Sequence, residues 1–365
     1  MPVADRPTVL HYTGYDTDRG GILSVVRALA GTNRFACVLR VSPRFVQARF
    51  PRLETLELPR IAGDTIDLRT FWRARIVARA VRSWLNPEGR RIYHGHSRAG
   101  LLVGLWLVWQ GERRVAVSVH CYGHQRWFYR WATRRLGQRL FWLSPAMKDH
   151  YGIGNGSWTG CIPGCTDAPP GSGSRRRWRC DGTLRLGGAG ALVRWKRWDL
   201  VLTALRQLEP PLRAGVEFRH IGAADESPES QRCAAALREQ SAGLPVSWEG
   251  WRADPASFFA GVDALVVASK GEPFSVAMLE ALAAGIPVLA ADRGGAVDVI
   301  QPPLNGWLFK TGDASSLAGA IRRLLDPDGF ATVKINPEGL RRFAPAAVAG
   351  QWRSVYAALM SEDGV

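Results

Sequence analysis

Apolar positions in this chain follow two alternating patterns, short continuous runs and longer stretches with helical spacing. Thr8 to Tyr12 (TVLHY) is a short apolar run, followed by Gly14, Gly20 and Gly21 and then by ILSVVRALA, which has helical spacing. That order predicts strand, glycine-bearing loop and helix. The alternation returns at RRIYH before AGLLVGLWLVW, and at RRVAVSVH before an arginine-rich stretch. No series of hairpin signals interrupts it, so the pattern predicts parallel βαβ units.

From Ala168 the sequence reads APPGSGSRRRWRCDG, with no apolar period, and a linker is expected there. Beyond it LRLGGAGAL, WDLVLTALRQL, VEFRHIGA, VDALVVAS and IPVLAA alternate strands with helices again, which predicts a second doubly wound sheet. The closing AAVAGQWRSVYAALM reads as a helix that could pack on either domain. The expected organisation is therefore an N-terminal Rossmann-like domain over 1–168, a linker over 169–182, a second Rossmann-like domain over 183–340 and a C-terminal helix over 341–365.

A length of 365 residues agrees with two domains of about 150 residues each. Hydrophobic residues make up 46% and charged residues 22%, a globular balance that excludes a disordered chain or a disulfide knot. Leu101 to Trp109 is the longest apolar run, about half of what a membrane span needs. The opening MPVADRPTV lacks the features of a signal peptide, so a cytoplasmic protein is expected. Of the six cysteines only Cys161 and Cys165 lie close, with no histidine near them, which favours buried thiols over zinc.

Charge changes the picture. The net charge is +16, and residues 1–170 carry 25 Lys+Arg against 11 Asp+Glu, whereas residues 171–365 carry 23 against 21. The N-terminal domain therefore expects an anionic partner. Two stretches concentrate the arginine, Arg69 to Leu85 and His124 to Leu143, and both interleave it with tryptophan. Such a mixture suits a helix lying on an anionic bilayer, or a solvated arginine face with its aromatic rings in the core. No nucleic-acid motif accompanies the charge, and no nucleic-acid partner is expected.

The window VDALVVASKGEPFSVAMLEALAAGIPVLAADRGG holds the densest candidate chemistry. It predicts a buried strand over Val262 to Ala268, a loop over Ser269 to Glu272, a helix from about Pro273 to Ala284 with Val276, Leu279 and Ala283 facing the core, and a second buried strand. The loop falls at the carboxyl end of a parallel strand, where open α/β sheets bind ligands. The N–H groups of Ser275, Val276 and Ala277 would offer an anion site at the helix start. Glu272 and Glu280 lie up to roughly 12 Å apart along a helix, too far for a carboxylate dyad. They read as grips on two parts of one long ligand such as a nucleotide-diphosphate sugar, or as solvated helix residues.

This window resembles the donor-binding half of family-4-type retaining glycosyltransferases with the GT-B fold. The matching residues are Glu272 and Glu280 as an E-x7-E pair, Pro273, Phe274 and Ser275 between them, ALAAGIPVLA, Gly294 and Gly295, and Asn305-Gly306 ahead of Asp313. The likeness implies two Rossmann-like domains facing a cleft, with a nucleotide sugar as donor substrate and no metal cofactor. It implies that Glu280 binds the ribose and Glu272 the sugar hydroxyls, and that Gly20 and Gly21 approach the donor phosphate. His120, ending VAVSVH, is similar to the family's histidine near the transferred sugar, and Trp251 follows a glycine as in the family's base-facing loop. SPAMK and IPGCTD also resemble family stretches, though Gly164-Cys165 replaces the usual Asn-Gly. Lys196 matches the lysine that meets the diphosphate. The family's preceding arginine is Ala191 here, and Arg194 is the expected substitute.

Asp16-Thr17-Asp18 has the aspartate spacing of metal-dependent transferases, yet it lies in the glycine loop, where helix termini and basic residues do the metal's work, and no metal site is expected. The expected acceptor is a glycan, a lipid-linked precursor or a small molecule, and the expected setting is cytoplasmic with an anionic membrane surface as a further partner. Two other readings stay open: a nucleotide-sugar epimerase of the same fold, and a non-catalytic protein that binds anions or membranes through its N-terminal charge.

Overall fold

The computed structural model describes residues 6–14, 21–41, 54–59, 61, 66–85, 90–154, 159–166, 182–252 and 254–361. Gly20, Asp16 to Asp18 and nearly all of the expected linker lie outside these. The chain divides into two compact units, Met1–Thr166 with Arg342–Val365, and Asp167–Arg341.

The first unit is built on a parallel sheet of seven strands: β1 (Thr8–Tyr12), β2 (Ala36–Val41), β3 (Glu54–Glu57), β4 (Arg91–Gly95), β5 (Val115–Val119), β6 (Leu140–Trp142) and β7 (Gly160–Cys161). Their spatial order is β3-β2-β1-β4-β5-β6-β7. β5 is buried along its whole length, and the helix Arg98–Trp109 packs eight buried residues beside it, which accounts for its almost unbroken apolar sequence. The helix Pro345–Met360 belongs to this unit and buries Val348, Ala349, Trp352, Tyr356 and Leu359.

The second unit carries six parallel strands, β8 (Leu184–Ala189), β9 (Val216–Ile221), β10 (Val246–Trp248), β11 (Ala264–Val267), β12 (Val288–Ala291) and β13 (Gly306–Phe309), in the order β10-β9-β8-β11-β12-β13. In both sheets the winding direction reverses, between β1 and β4 in one and between β8 and β11 in the other. Such a reversal opens a crevice at the carboxyl ends of the strands. Among the described residues no helix is long and apolar enough to cross a membrane.

Two sequence expectations are corrected. The arginine-rich stretch from His124 is not one helix: Arg126–Leu136 ends at Gly137 (φ 55°), and Leu140–Trp142 turns into the buried strand β6. The helix expected from Pro273 begins three residues later, as Val276–Ala283, because Ser275 caps it by accepting from the Met278 N–H. Its buried face is Met278, Leu279, Ala281 and Leu282, while Val276 and Ala283 are half-buried.

Candidate functional site

In the second unit the crevice is formed by the loops after β8 and β11. After β8 the chain passes Gly190 and enters a single 3-10 turn, Arg194–Lys196. Gly190 has φ 148°, and a Cβ there would lie 3.3 Å from the Lys196 Cε, so glycine gives the lysine its path. The Lys270 N–H donates to the Trp195 carbonyl (2.9 Å), tying the two loops together.

Across that tie, the Lys196 Nζ donates to both oxygens of Glu272, at 2.7 and 2.8 Å. The Ser269 hydroxyl donates to Glu272 Oε2 at 2.8 Å. Nζ also sits 4.5 Å from the Trp195 ring centre. The two charged side chains are only 13% and 16% exposed, so each is shielded enough for its partner to matter. His220 lies in the core nearby with Trp198 and Trp248 against its ring. Burial, with the Lys196 charge adding to it, pulls the His220 pKa down to about 3, and the ring is neutral.

The backbone of Glu272 is fixed as firmly as its side chain. Its carbonyl accepts from the Gly295 N–H at 3.2 Å, and a Cβ on Gly294, where φ is 72°, would fall 2.0 Å from the same oxygen. Pro273 and Phe274 are buried in the connecting loop, and Val276 and Ala277, both half-buried, open the helix with their first-turn amides. These amides have no partner within the helix. Glu280 follows on the same helix, half-buried.

Arg194 is exposed and lines a separate cavity of about 840 Å3 with Trp195, Arg197, Arg232, Cys233 and Lys270; neither Lys196 nor Glu272 lines it. Trp251 is 42% exposed and so is not packed in the core. Asn305 and Asp313 are structural: Asn305 Oδ1 accepts from the Gln301 N–H, and Asp313 caps the helix Ala314–Leu325.

In the first unit His120, half-buried, follows β5, and its Nε2 lies 3.1 Å from His96 Nδ1. His96 Nε2 lies in turn 2.8 Å from His11 Nδ1. His94 hydrogen-bonds through Nδ1 to the Tyr356 hydroxyl (2.7 Å) and through Nε2 to the Ser118 hydroxyl (2.8 Å). Burial lowers all four pKa values, to about 3 for His11 and about 4 for His120. Sequence reasoning singled out His120 alone; the available signal was the His-Gly-His at the end of β4 and the histidine near the end of β1. Gly21 begins the helix Gly21–Gly31 and is exposed. Lys148, within SPAMK, is buried and donates to the Thr159 carbonyl (3.3 Å), a structural role.

The helix Leu68–Leu85 buries Thr70, Ala74, Val77, Ala78, Val81 and Leu85. On its other side Leu68, Trp72 and Ile76, spaced by four, are 78%, 55% and 61% exposed among the exposed Arg69, Arg73, Arg75 and Arg79. Trp127 is 69% exposed on the next basic helix. These rings are therefore not in the core.

The family model of glycosyl transferases group 1 matches residues 183–327. The lipopolysaccharide 1,6-galactosyltransferase of Escherichia coli K12 is 33% identical over 100 residues, 26% of this chain and 28% of that protein. Its Salmonella typhimurium counterpart is 31% identical over 118 residues, 31% of this chain and 33% of that protein. These matches thus span a third or less of the relatives. Among solved structures, Anabaena Alr3699/HepE in complex with UDP and glucose superposes with a TM-score of 0.72 at 18% identity, over 96% of this chain and 99% of that one. The apo lipopolysaccharide outer core galactosyltransferase WaaB does so with a TM-score of 0.69 at 16% identity, over 96% and 99%. Residues 183–327 thus match the glycosyl transferases group 1 family, and the two parallel-sheet units have the GT-B fold.

Proposed function

We propose that this protein transfers a hexosyl unit from a nucleotide-diphosphate sugar to a glycan, lipid-linked or small-molecule acceptor, with retention of anomeric configuration and without a metal ion. The observation that carries this reading is the Lys196–Glu272–Ser269 cluster at the strand-order reversal of the second unit. Without donor, the lysine and the carboxylate neutralise each other in a shielded crevice. A donor supplies a partner for each, diphosphate oxygens for Lys196 and sugar hydroxyls for Glu272. Glu280 takes the ribose, and Trp251 stands by the base.

As the sugar leaves, negative charge grows on the diphosphate. Lys196 and the amides of Ser275 to Ala277 offset it, in place of a metal. Arg194 joins them only by swinging its exposed side chain out of the neighbouring cavity. The acceptor hydroxyl attacks from the leaving-group face: its oxygen bonds to the anomeric carbon, the bond to phosphate oxygen breaks, and the hydroxyl proton passes to that phosphate. We assign His120, Gly20 and Gly21 to the sugar end of the reaction. The named relatives, lipopolysaccharide galactosyltransferases, and the neighbour crystallised with UDP and glucose support a sugar nucleotide donor and a glycan acceptor.

The proposed setting is the cytoplasm, at an anionic membrane surface. The exposed Leu68, Trp72 and Ile76, ringed by arginines, support it, because apolar side chains insert at the headgroup level while the guanidinium groups meet lipid phosphates.

A thermal-shift panel of UDP-, GDP-, ADP- and dTDP-sugars tests the donor reading, since a ligand that binds only the folded state raises the melting temperature. One stabilising donor class followed by product with the donor's anomeric configuration in NMR is expected. No shift from any of the four, confirmed by calorimetry, overturns the reading; an inverted product overturns retention.

A further inference from the structure

His120 is the outer end of a file of three imidazoles that the proposed reaction leaves unexplained. The file runs His11 Nδ1 to His96 Nε2 at 2.8 Å, then His96 Nδ1 to His120 Nε2 at 3.1 Å. His11 and His96 are 0% and 2% exposed, and His120 alone reaches the surface of its unit. The inner end is closed: His11 Nε2 is buried and has no hydrogen-bond partner among the described residues. A file closed at one end carries no proton flux to bulk water.

A metal centre does not account for the cluster. Nitrogens of His11, His94 and His96 come within 4.8 Å of one another. The rings of His94 and His96 lie with centroids 3.9 Å apart and planes tilted by 33°, and both nitrogens of His94 are engaged by hydroxyls. A metal would have to displace those bonds as well as the His11–His96 bond.

Burial keeps all three members neutral, so each has one N–H and one lone pair, and the bonds must run head to tail. Only two directions exist. If His120 donates inward, the buried end of the file is an orphan N–H on His11. If the file donates outward, the orphan is a lone pair. A buried donor without a partner is the rarer and more costly defect.

We propose that the file runs outward, His11 Nδ1–H to His96 Nε2 and His96 Nδ1–H to His120 Nε2, so that His120 is held in the Nδ1–H form as a fixed hydrogen-bond donor to a substrate oxygen. His96 and His11 are then positioning residues. The proposal rests on the glycosyltransferase reading for the substrate, a sugar hydroxyl or phosphate oxygen, and on this unit alone for the tautomer. It makes His120 a recognition group for an oxygen lone pair, not a general base.

The experiment is long-range 1H–15N correlation on the full chain labelled at its histidine rings, with His120, His96 and His11 assigned through single variants. The expected spectrum shows His120 protonated at Nδ1, with N–N couplings across the His96–His120 and His11–His96 hydrogen bonds. His120 protonated at Nε2, or missing couplings, overturns the proposal. So does loss of the couplings on adding one equivalent of Zn2+, which would reveal a metal centre. His96→Asn keeps an amide N–H at the Nδ1 position and is expected to preserve the His120 tautomer, whereas His96→Phe is expected to release it. Once a donor and acceptor are in hand, His96→Phe should lower kcat about tenfold, the size of one lost hydrogen bond, with KM for the donor little changed, and His96→Asn should restore most of it. The spectra need no substrate, so failure of transfer with the file intact would overturn the functional reading and leave the file standing.

Discussion

Lys196 and Glu272 are 76 positions apart in sequence, yet the ammonium meets both carboxylate oxygens within 2.8 Å. The pairing places a cation and an anion where one ligand can replace each with the other's chemistry. Lys196→Ala is expected to lower kcat about 100-fold or more, the range seen when one group that stabilises developing charge is removed. Glu272→Gln is expected to weaken donor binding. Because the residues share one contact, the double variant should lose less than the two single losses combined. Additive losses in a steady-state double-mutant cycle would show that the pair does not act as a unit.

Gly294 is where the fold and the site meet. Gly294→Ala puts a Cβ 2.0 Å from the Glu272 carbonyl oxygen, at a positive φ that side chains avoid. The expected cost is about 2 kcal/mol or more in urea unfolding, together with loss of the donor-induced thermal shift. A variant with unchanged stability and donor response would remove the strained turn from the account.

His11, His94 and His96 in the first unit and His220 in the second are buried with lowered pKa values, about 3 for His11 and His220. Between these values and 6.5 the unfolded chain takes up protons that the native chain excludes. Stability is therefore complete above about pH 6.5 and falls below it, by up to about 1.4 kcal/mol per pH unit for each such group. Three of the groups lie in the first unit, so its melting transition should drop more steeply from pH 7 to pH 5. Calorimetry across that range reads both the sign and the difference.

The Tyr356 hydroxyl, 2.7 Å from His94 Nδ1, joins the last helix to β4. Tyr356→Phe keeps the ring contacts with Trp352 and Phe35 and removes that bond. A loss of about 1 kcal/mol in urea unfolding is expected, the net worth of one hydrogen bond.

Trp72 and Ile76 are exposed, so replacing both with serine should leave the melting temperature unchanged while abolishing flotation with anionic vesicles. Vesicle binding by the parent chain should also weaken as salt rises, because arginine contacts are screened. Undiminished flotation of the variant would remove this stripe from membrane contact.

The sequence by itself determined what local periodicity can carry. Alternating apolar runs and helical spacings specified two parallel α/β units, and strands such as TVLHY and VEFRHI lie where their patterns put them. The Glu272 to Glu280 segment could be singled out because glycine, proline and charge sit at fixed short spacings there, whereas Lys196 was legible only through the resemblance of its loop to a known family. Ser275 was legible as an anion-site residue, but its capping role set the helix start, since a hydroxyl bonded to Met278 outweighs a proline's preference for the first turn. What only the tertiary structure decided is which distant residues meet. Sheet order puts β11 beside β8 while β9 and β10 go to the other side, which brings Ser269 and Glu272 to Lys196. The same reversal in the first sheet puts β4 beside β1 and aligns His11, His96 and His120. Spacing along the chain encodes a face of one helix or strand; adjacency between strands depends on how the whole sheet buries its two faces, and no local pattern records that.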